Sequence, residues 1–143
     1  MSIGALKAHA FGGGQTVASV VDMFIVVVSY SFGLGLLFLG TSVINPSELW
    51  VDLLIALPLI AGIHLLANVL AGAYGHVWGH ASTNEAMRVV VANACALLSI
   101  AGLNLLLRQT GVGVDGDLVI IPWSVIAVGG LLSMLLMGIV RFR

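Results

Sequence analysis

The stretch "VDLLIALPLIAGIHLLANVLAGAY", residues 51–74, decides the fold class of this chain. It is apolar almost throughout, and a membrane-spanning helix needs about 20 mainly apolar residues. Three further stretches of this kind lie at about 16–39, 88–107 and 118–140, each bounded by polar or turn-forming residues. The sequence therefore predicts an all-α integral membrane protein, a four-helix bundle in which residues 1–143 form a single transmembrane domain.

The composition of the whole chain agrees with this prediction. Hydrophobic residues make up 60% and charged residues 8% of the sequence, and the mean hydropathy is +1.17. An average soluble domain is roughly 25% charged. Five basic residues stand against six acidic ones, so no basic surface is available for nucleic acid, and the lipid bilayer is the expected partner. At this length, four spans leave no room for a soluble catalytic domain.

The distribution of charge predicts the orientation in the membrane. Four of the five basic residues lie on one predicted side: Lys7, Arg88, Arg141 and Arg143. The opposite side carries Arg108 and the acidic residues Glu48, Asp52, Asp115 and Asp117. Because basic residues are retained preferentially in the cytoplasm, we expect both termini and the connection between the second and third spans to be cytoplasmic. Aromatic residues at the predicted span ends are typical of membrane interfaces: Trp50, Tyr74, Trp78 and Trp123.

The connection between the second and third spans concentrates the polar residues of the chain. Ser82 and Glu85 form a capping box that predicts the start of the third helix, with Arg88 one turn inside it. His76 and His80 have a spacing seen in zinc sites, but glycines flank them and no third ligand follows at a suitable interval. We therefore predict a membrane-edge interaction site without metal, comprising Tyr74, Trp78, Ser82, Glu85, Arg88 and Arg141.

Asp22 is a carboxylate inside the first apolar span. An ionisable residue in a membrane segment is a functional candidate, because leaving it charged in lipid is costly. In one interpretation, Asp22 faces the bundle and pairs with Arg88 or Arg141. In the other, it couples a substrate to proton movement. We favour the pairing, since Asp22 lies only about two turns from the cytoplasmic end.

Four further polar residues lie within the spans. His64 and Asn68 are one turn apart in the second span, and Asn93 and Asn104 are about three turns apart on one face of the third. Polar side chains of this kind form hydrogen bonds between membrane helices. Nothing resembles a nucleophile motif or a phosphate-binding loop, and the glycine run "FGGGQ" (11–15) does not follow a strand as a dinucleotide fingerprint does, so we predict no catalytic residues and no cofactor.

The stretch "AGAYGHVWGHASTNEAMRVV", residues 71–90, resembles a loop of known proteins. It is similar to the cytoplasmic loop in the N-terminal membrane region of CapD-like polysaccharide biosynthesis proteins, the membrane-anchored nucleotide-sugar 4,6-dehydratases and epimerases. The residues on that pattern are Tyr74, Trp78, Ala81, Ser82, Glu85 and Arg88. "VVDMFIVVVSYSFG" (20–33) and "IPWSVIAVGGLLSMLLMGIVRFR" (121–143) look like the first and last parts of the same region, whereas Gly75 and Gly79 replace expected basic residues.

The resemblance implies a location and a role. In the family this region precedes a cytoplasmic Rossmann-type domain that carries out the sugar chemistry, and a related region precedes some polyprenyl-phosphate sugar-phosphate transferases. The nucleotide-binding glycines and the catalytic Tyr/Lys pair have no counterpart here, so we expect no activity from this chain alone. The expected role is a non-catalytic module of the bacterial inner membrane that anchors nucleotide-sugar or polysaccharide biosynthesis machinery.

The expected partners are polyprenyl-linked intermediates and a cytoplasmic sugar-nucleotide enzyme, or a second copy of the chain. Two alternatives stay open. One is a small four-helix transporter that uses Asp22 for proton coupling. The other is a structural subunit of a larger membrane complex.

Overall fold

A computed structural model describes residues 13–40, 46–74, 83–110 and 121–141. Four α-helices account for nearly all of them: α1 (Gly13–Gly40), α2 (Pro46–Leu70), α3 (Thr83–Thr110) and α4 (Trp123–Arg141). The described residues contain no strand. The predicted all-α four-helix bundle is confirmed.

Each helix is long and apolar enough to cross a membrane. Even the shortest, α4, has 19 residues and therefore measures about 28 Å, close to the hydrocarbon thickness of a bilayer. Large apolar side chains cover the outside of the bundle, with Leu39 86% and Leu70 78% exposed. Such a surface suits lipid rather than water, so the chain is a multi-pass membrane protein.

The helices form a ring in chain order. Each one packs on its neighbours in sequence, and α4 packs back on α1 in the most extensive of the helix pairs. Across the ring, α2 and α4 contact each other through side chains, since Asn68 Nδ2 donates to the Met137 sulfur at 3.6 Å. Tyr30, Ile60, Ile126 and Met137 fill the interior. The alternating directions place the start of α1 and the end of α4 at one end of the bundle.

The second helix ends earlier than the sequence predicts. We expected it to continue to Tyr74, but α2 stops at Leu70 and residues 71–74 form a turn. Gly72 has a φ of 68°, and its amide donates to the Val69 carbonyl while the Ala73 amide donates to the Asn68 carbonyl. This is a Schellman motif, which ends a helix by satisfying its last carbonyl groups.

Other boundaries also differ from the predicted spans. The helix α2 starts at Pro46 rather than near residue 51, because proline suits the first helical position. The helix α3 starts at Thr83, directly after the Ser82 of the predicted capping box. The helix α4 starts at Trp123 rather than near 118, after Pro122. The length of the apolar stretches therefore predicted where the spans lie. Proline and capping residues determine where each helix begins.

Candidate functional site

A buried cluster at one end of the bundle joins α1, α2 and α4. Its centre is the carboxylate of Asp22, a residue that is only 5% exposed. The Asp22 Oδ2 atom accepts hydrogen bonds from the Tyr74 hydroxyl at 2.7 Å and the Asn68 Nδ2 at 3.4 Å. The Arg141 guanidinium forms a salt bridge and hydrogen bond with the same oxygen. We call these four residues the Asp22 cluster.

Local structure explains how these residues meet. Asp22 lies in the third turn of α1, Asn68 in the last turn of α2, and Arg141 is the last residue of α4. All three helix segments lie at the same end of the ring because successive helices run in opposite directions. The turn at Gly72 changes the direction of the chain after α2. Tyr74 follows this turn and therefore contacts Asp22 from a position beyond the end of α2.

Arg141 makes two further contacts with the turn that follows α2. Its Nη1 donates to the Ala73 carbonyl at 3.5 Å, and its guanidinium carbon lies 5.1 Å from the centre of the Tyr74 ring. A cation over an aromatic face is attractive. The predicted pairing of Asp22 is thus with Arg141, one of the two candidates, and the arginine fastens the end of α4 to this turn.

Tyr74 differs from its predicted interfacial role. We expected its ring to lie among lipid headgroups, but the residue is buried and its hydroxyl points at Asp22. Burial raises the pKa of the Tyr74 hydroxyl above its ordinary value, and the hydrogen bond to the Asp22 carboxylate raises this pKa further. The hydroxyl therefore keeps its proton and remains a hydrogen-bond donor.

Arg88, the other predicted partner of Asp22, is exposed and lies beside the end of α2. A β-carbon placed on Gly72 would lie 3.9 Å from its Nη1 atom. The negative end of the α2 dipole is located there, and a guanidinium near it is favourable. Arg88 therefore complements the end of α2, and Arg141 neutralises Asp22.

A second polar network occupies the middle of the bundle. His64 on α2 contacts Asn93 on α3 through Nδ1 (3.1 Å to Oδ1) and Tyr30 on α1 through Nε2 (3.4 Å to the hydroxyl). The Asn93 amide nitrogen donates to the Val89 carbonyl at 2.9 Å, which leaves its oxygen as the acceptor for His64. His64 Nδ1 therefore carries the proton, and Nε2 accepts from Tyr30. The predicted hydrogen bonding between helices is confirmed at His64 and Asn93.

Asn104 links α3 to the segment that precedes α4. It bonds to the main chain ahead of α4 rather than to a side chain of another helix. Its Nδ2 donates to the Ile121 carbonyl and its Oδ1 accepts from the Ile121 amide, both at 3.1 Å. Arg108 donates to the same carbonyl at 3.1 Å and lies over the Trp123 ring, 5.5 Å from its centre. These contacts fasten α3 to the start of α4 at the end opposite the Asp22 cluster.

Sequence reasoning missed Tyr30, which is completely buried and links α1 to His64. The available signal was its position, since tyrosine favours the ends of membrane spans and this one lies mid-span. Two buried polar atoms in the described residues have no hydrogen-bond partner, Ser29 Oγ and Asn68 Oδ1. Neither had been expected to be unpaired.

Several predicted site residues lie outside the described part of the chain. These are Trp78 and Ser82, together with the histidine pair His76 and His80, and the side chain of Glu85. Within the described ranges, no group of three His, Cys, Asp or Glu residues is arranged to hold a metal ion.

In the Asp22 cluster, a buried carboxylate is paired with a guanidinium and links neighbouring segments of the chain. Its carboxylate is held by three donors, and the cluster joins three segments that are far apart in sequence. The chain matches no protein-family model, no curated protein and no solved structure.

Proposed function

We propose that this chain is a non-catalytic membrane module that anchors nucleotide-sugar or polysaccharide biosynthesis machinery at the inner leaflet of the bacterial cell membrane. Its partner is a cytoplasmic sugar-nucleotide enzyme, positioned close to polyprenyl-linked intermediates. The bundle supplies attachment and position, and the partner supplies the chemistry.

The observation that carries this proposal is the fastening of α4 to the turn after α2. Arg141, the last residue of α4, contacts Asp22, Tyr74 and the Ala73 carbonyl. The point where the chain leaves α4 therefore has a fixed position beside the point where it leaves α2. An anchor requires this property, because a mobile helix end would not hold a partner in a constant orientation.

The resemblance supports the same role. In CapD-like proteins the catalytic domain follows the fourth helix, next to a cytoplasmic loop with the Tyr, Trp, Ser, Glu and Arg pattern found here. The Asp22 cluster includes the tyrosine of that pattern and the arginine at the exit of α4. Asp22, Tyr74 and Arg141 thus connect the loop to the exit at which the family places its enzyme.

A proton-coupled transporter is less well supported by the same cluster. A coupling carboxylate must exchange its proton and its partners during each cycle. The Asp22 carboxylate is instead neutralised by a guanidinium that is itself fastened to the Ala73 carbonyl and the Tyr74 ring. Opening this site would break several contacts together, as expected of a structural tie.

Cell fractionation tests the anchoring role. Nucleotide-sugar dehydratase and epimerase activity is measured in the membrane and soluble fractions of cells that make the chain and of cells from which its gene has been deleted. We expect the membrane-bound activity to move into the soluble fraction after deletion and to return on complementation. The purified chain alone should convert no nucleotide sugar, because the sequence predicts no catalytic residues and no cofactor.

Arg141→Gln and Arg108→Gln form a matched pair for this experiment. Both remove a guanidinium that fastens a helix end to a neighbouring segment, but they act at opposite ends of the bundle. If the end of α4 positions the partner, only Arg141→Gln should release activity from the membrane fraction. Equal membrane-bound activity with and without the chain would refute the anchoring role.

A further inference from the structure

Among the described residues, a groove lies between α2 and α3. It holds about 340 Å³ of space, counting its open side. Its floor is buried and consists of Ala56, Ile60, Ile100, Asn104 and Ile121. The Asn104 amide is already bonded to the main chain of Ile121 through both its nitrogen and its oxygen. The recess is therefore apolar in character, and we call it the α2/α3 groove.

The rims of the groove face the membrane. Leu59 on α2 is 55% exposed, and Leu103 and Leu107 on α3 are partly exposed. A recess with a buried floor and exposed rims opens sideways, toward the lipid that surrounds a multi-pass membrane protein. An occupant of the α2/α3 groove therefore comes from within the bilayer.

The groove runs along the helix axes. It follows residues 56–63 of α2 and residues 100–107 of α3, and seven residues of helix measure about 10 Å. Ile121 lies two residues before Trp123, which is 45% exposed, and exposed tryptophans at span ends settle at the level of lipid headgroups. Since half of the hydrocarbon thickness is about 15 Å, the groove extends from near the headgroups toward the bilayer centre.

The width of the groove selects the kind of occupant. The two helices pack against each other, and packed helices have axes about 8–10 Å apart. A further helix, about 10–12 Å across with its side chains, would lie on the rims and leave the floor unfilled. An unbranched hydrocarbon chain is narrow enough to reach the floor, and in a bilayer it has the same direction as the groove.

We propose that the α2/α3 groove binds one acyl chain of a phospholipid whose headgroup lies at the level of Trp123. The chain supplies van der Waals partners for the floor residues, and packing of this kind is the main attraction available in lipid. Because the chain makes these contacts, phospholipids with different headgroups should bind alike. A polyprenyl chain carries a methyl branch on each isoprene unit and should fit less well. This inference does not depend on the proposed anchoring role.

Native mass spectrometry of the intact chain tests the proposal. The purified protein is equilibrated with equal amounts of phosphatidylglycerol and phosphatidylethanolamine that have the same unbranched chains, and the retained lipid is counted. We expect one phospholipid per protein, with equal retention of the two headgroups. Diphytanoyl phosphatidylglycerol, which has methyl-branched chains, and undecaprenyl phosphate should both be retained several-fold less. These comparisons use wild-type protein only.

Ala56→Leu fills the floor of the groove. It should reduce the retained phospholipid about tenfold, the effect of losing roughly ten atom contacts with the chain. Gly62→Leu is the matched control, because Gly62 is exposed on the same helix, does not line the groove, and has no neighbour within 4 Å of an added β-carbon. Added phospholipid should raise the Tm of wild type and Gly62→Leu, but not of Ala56→Leu.

Four outcomes would overturn the proposal. They are equal retention by Ala56→Leu and Gly62→Leu, equal retention of unbranched and diphytanoyl lipid, preference for undecaprenyl phosphate, and a strong preference for one headgroup. A lipid-free dimer of the wild type that Ala56→Leu dissociates would assign the groove to a second copy of the chain instead. If Ala56→Leu does not fold, as circular dichroism will show, the comparison of unbranched and branched lipids on wild type decides.

Discussion

Replacing Gly129 with alanine should disrupt the contact between α1 and α4 in the centre of the bundle. A β-carbon at this position would lie 2.8 Å from Cγ and 2.9 Å from Cδ1 of Tyr30, and 3.0 Å from its Cα. The ring alone cannot relieve the clash, because the Tyr30 backbone is equally close. Either the two helices separate or Tyr30 turns away, and then its hydroxyl leaves His64.

The expected magnitude follows from these two effects. Overpacking of a close-packed interior costs about 1–3 kcal/mol, and a lost buried hydrogen bond costs about 0.5–1.5 kcal/mol. Alanine regains up to about 1 kcal/mol through its higher helix propensity. The net loss should be about 1–3 kcal/mol in the free energy of unfolding. At about 3 °C per kcal/mol for a chain of this length, this corresponds to a decrease of roughly 3–9 °C in Tm.

Thermal unfolding of the purified protein in a mild detergent, followed by circular dichroism, measures this change. Gly138→Ala is the matched control, because Gly138 lies on the same helix and a β-carbon there would have no neighbour within 4 Å. That variant should be neutral or slightly stabilised. Combining Gly129→Ala with Tyr30→Phe, which removes only the hydroxyl, should give a smaller loss than the sum of the two single losses, since both act on the same contact.

Equal melting of the Gly129→Ala and Gly138→Ala proteins would refute the reasoning. It would mean that α1 and α4 are farther apart at this level than the structure shows. Additive effects of Gly129→Ala and Tyr30→Phe would instead refute the link between this crossing and His64.

Three further predictions concern the ends of the bundle and its orientation. Asp22→Asn should lower the free energy of unfolding in detergent by about 1–3 kcal/mol, because the part-buried guanidinium of Arg141 loses its carboxylate partner, and wild-type protein in liposomes should show no protein-driven proton flux. Asn104→Leu should cost about 1–3 kcal/mol, since it leaves the Ile121 amide without its acceptor, as a denaturant titration will measure. Cysteines introduced at positions 78 and 115 should react with impermeant reagents from the cytoplasmic and the outer side respectively.

Each of these predictions has an outcome that contradicts it. Arg88→Gln serves as the control for Asp22→Asn and should melt close to wild type, because this exposed arginine is not in the Asp22 cluster. Gradient-driven flux in the wild type that Asp22→Asn abolishes would favour the transporter instead. If the Asn104→Leu protein is as stable as wild type, water must accept the hydrogen bond from the Ile121 amide. Reversed labelling would place the Asp22 cluster on the outer side.

The four helices were predictable because hydropathy alone defines a span, whatever its neighbours are. The pairing of Asp22 with a basic residue was also predictable, because few basic residues lie at the same end of the bundle. The choice between Arg88 and Arg141 required the packing. α1 packs most extensively on α4, and this brings Arg141 rather than Arg88 to the carboxylate.

The turn at Gly72 and the network around His64 were harder to predict. Glycine is common within membrane helices, so the sequence "AGAY" predicts a continuation of the apolar span and gives no sign of the positive φ at Gly72. Tyr74 was therefore assigned to the interface rather than to Asp22. The contact between Tyr30 and His64 joins residues 34 apart in sequence, and it follows only from the crossing of α1 and α4 at Gly129.

The Asp22 cluster also sets an order of events during biogenesis. Its hydrogen bonds join Asp22 to Tyr74, 52 residues later, and to Arg141, 119 residues later. At roughly 5–20 residues per second, the ribosome reaches Arg141 about 6–24 s after Asp22. When the first helix leaves the ribosome, the cationic partner of its carboxylate has therefore not been synthesised. Since an uncompensated charge is costly in lipid, we expect this helix to stay near the translocon or the membrane surface until the last helix arrives.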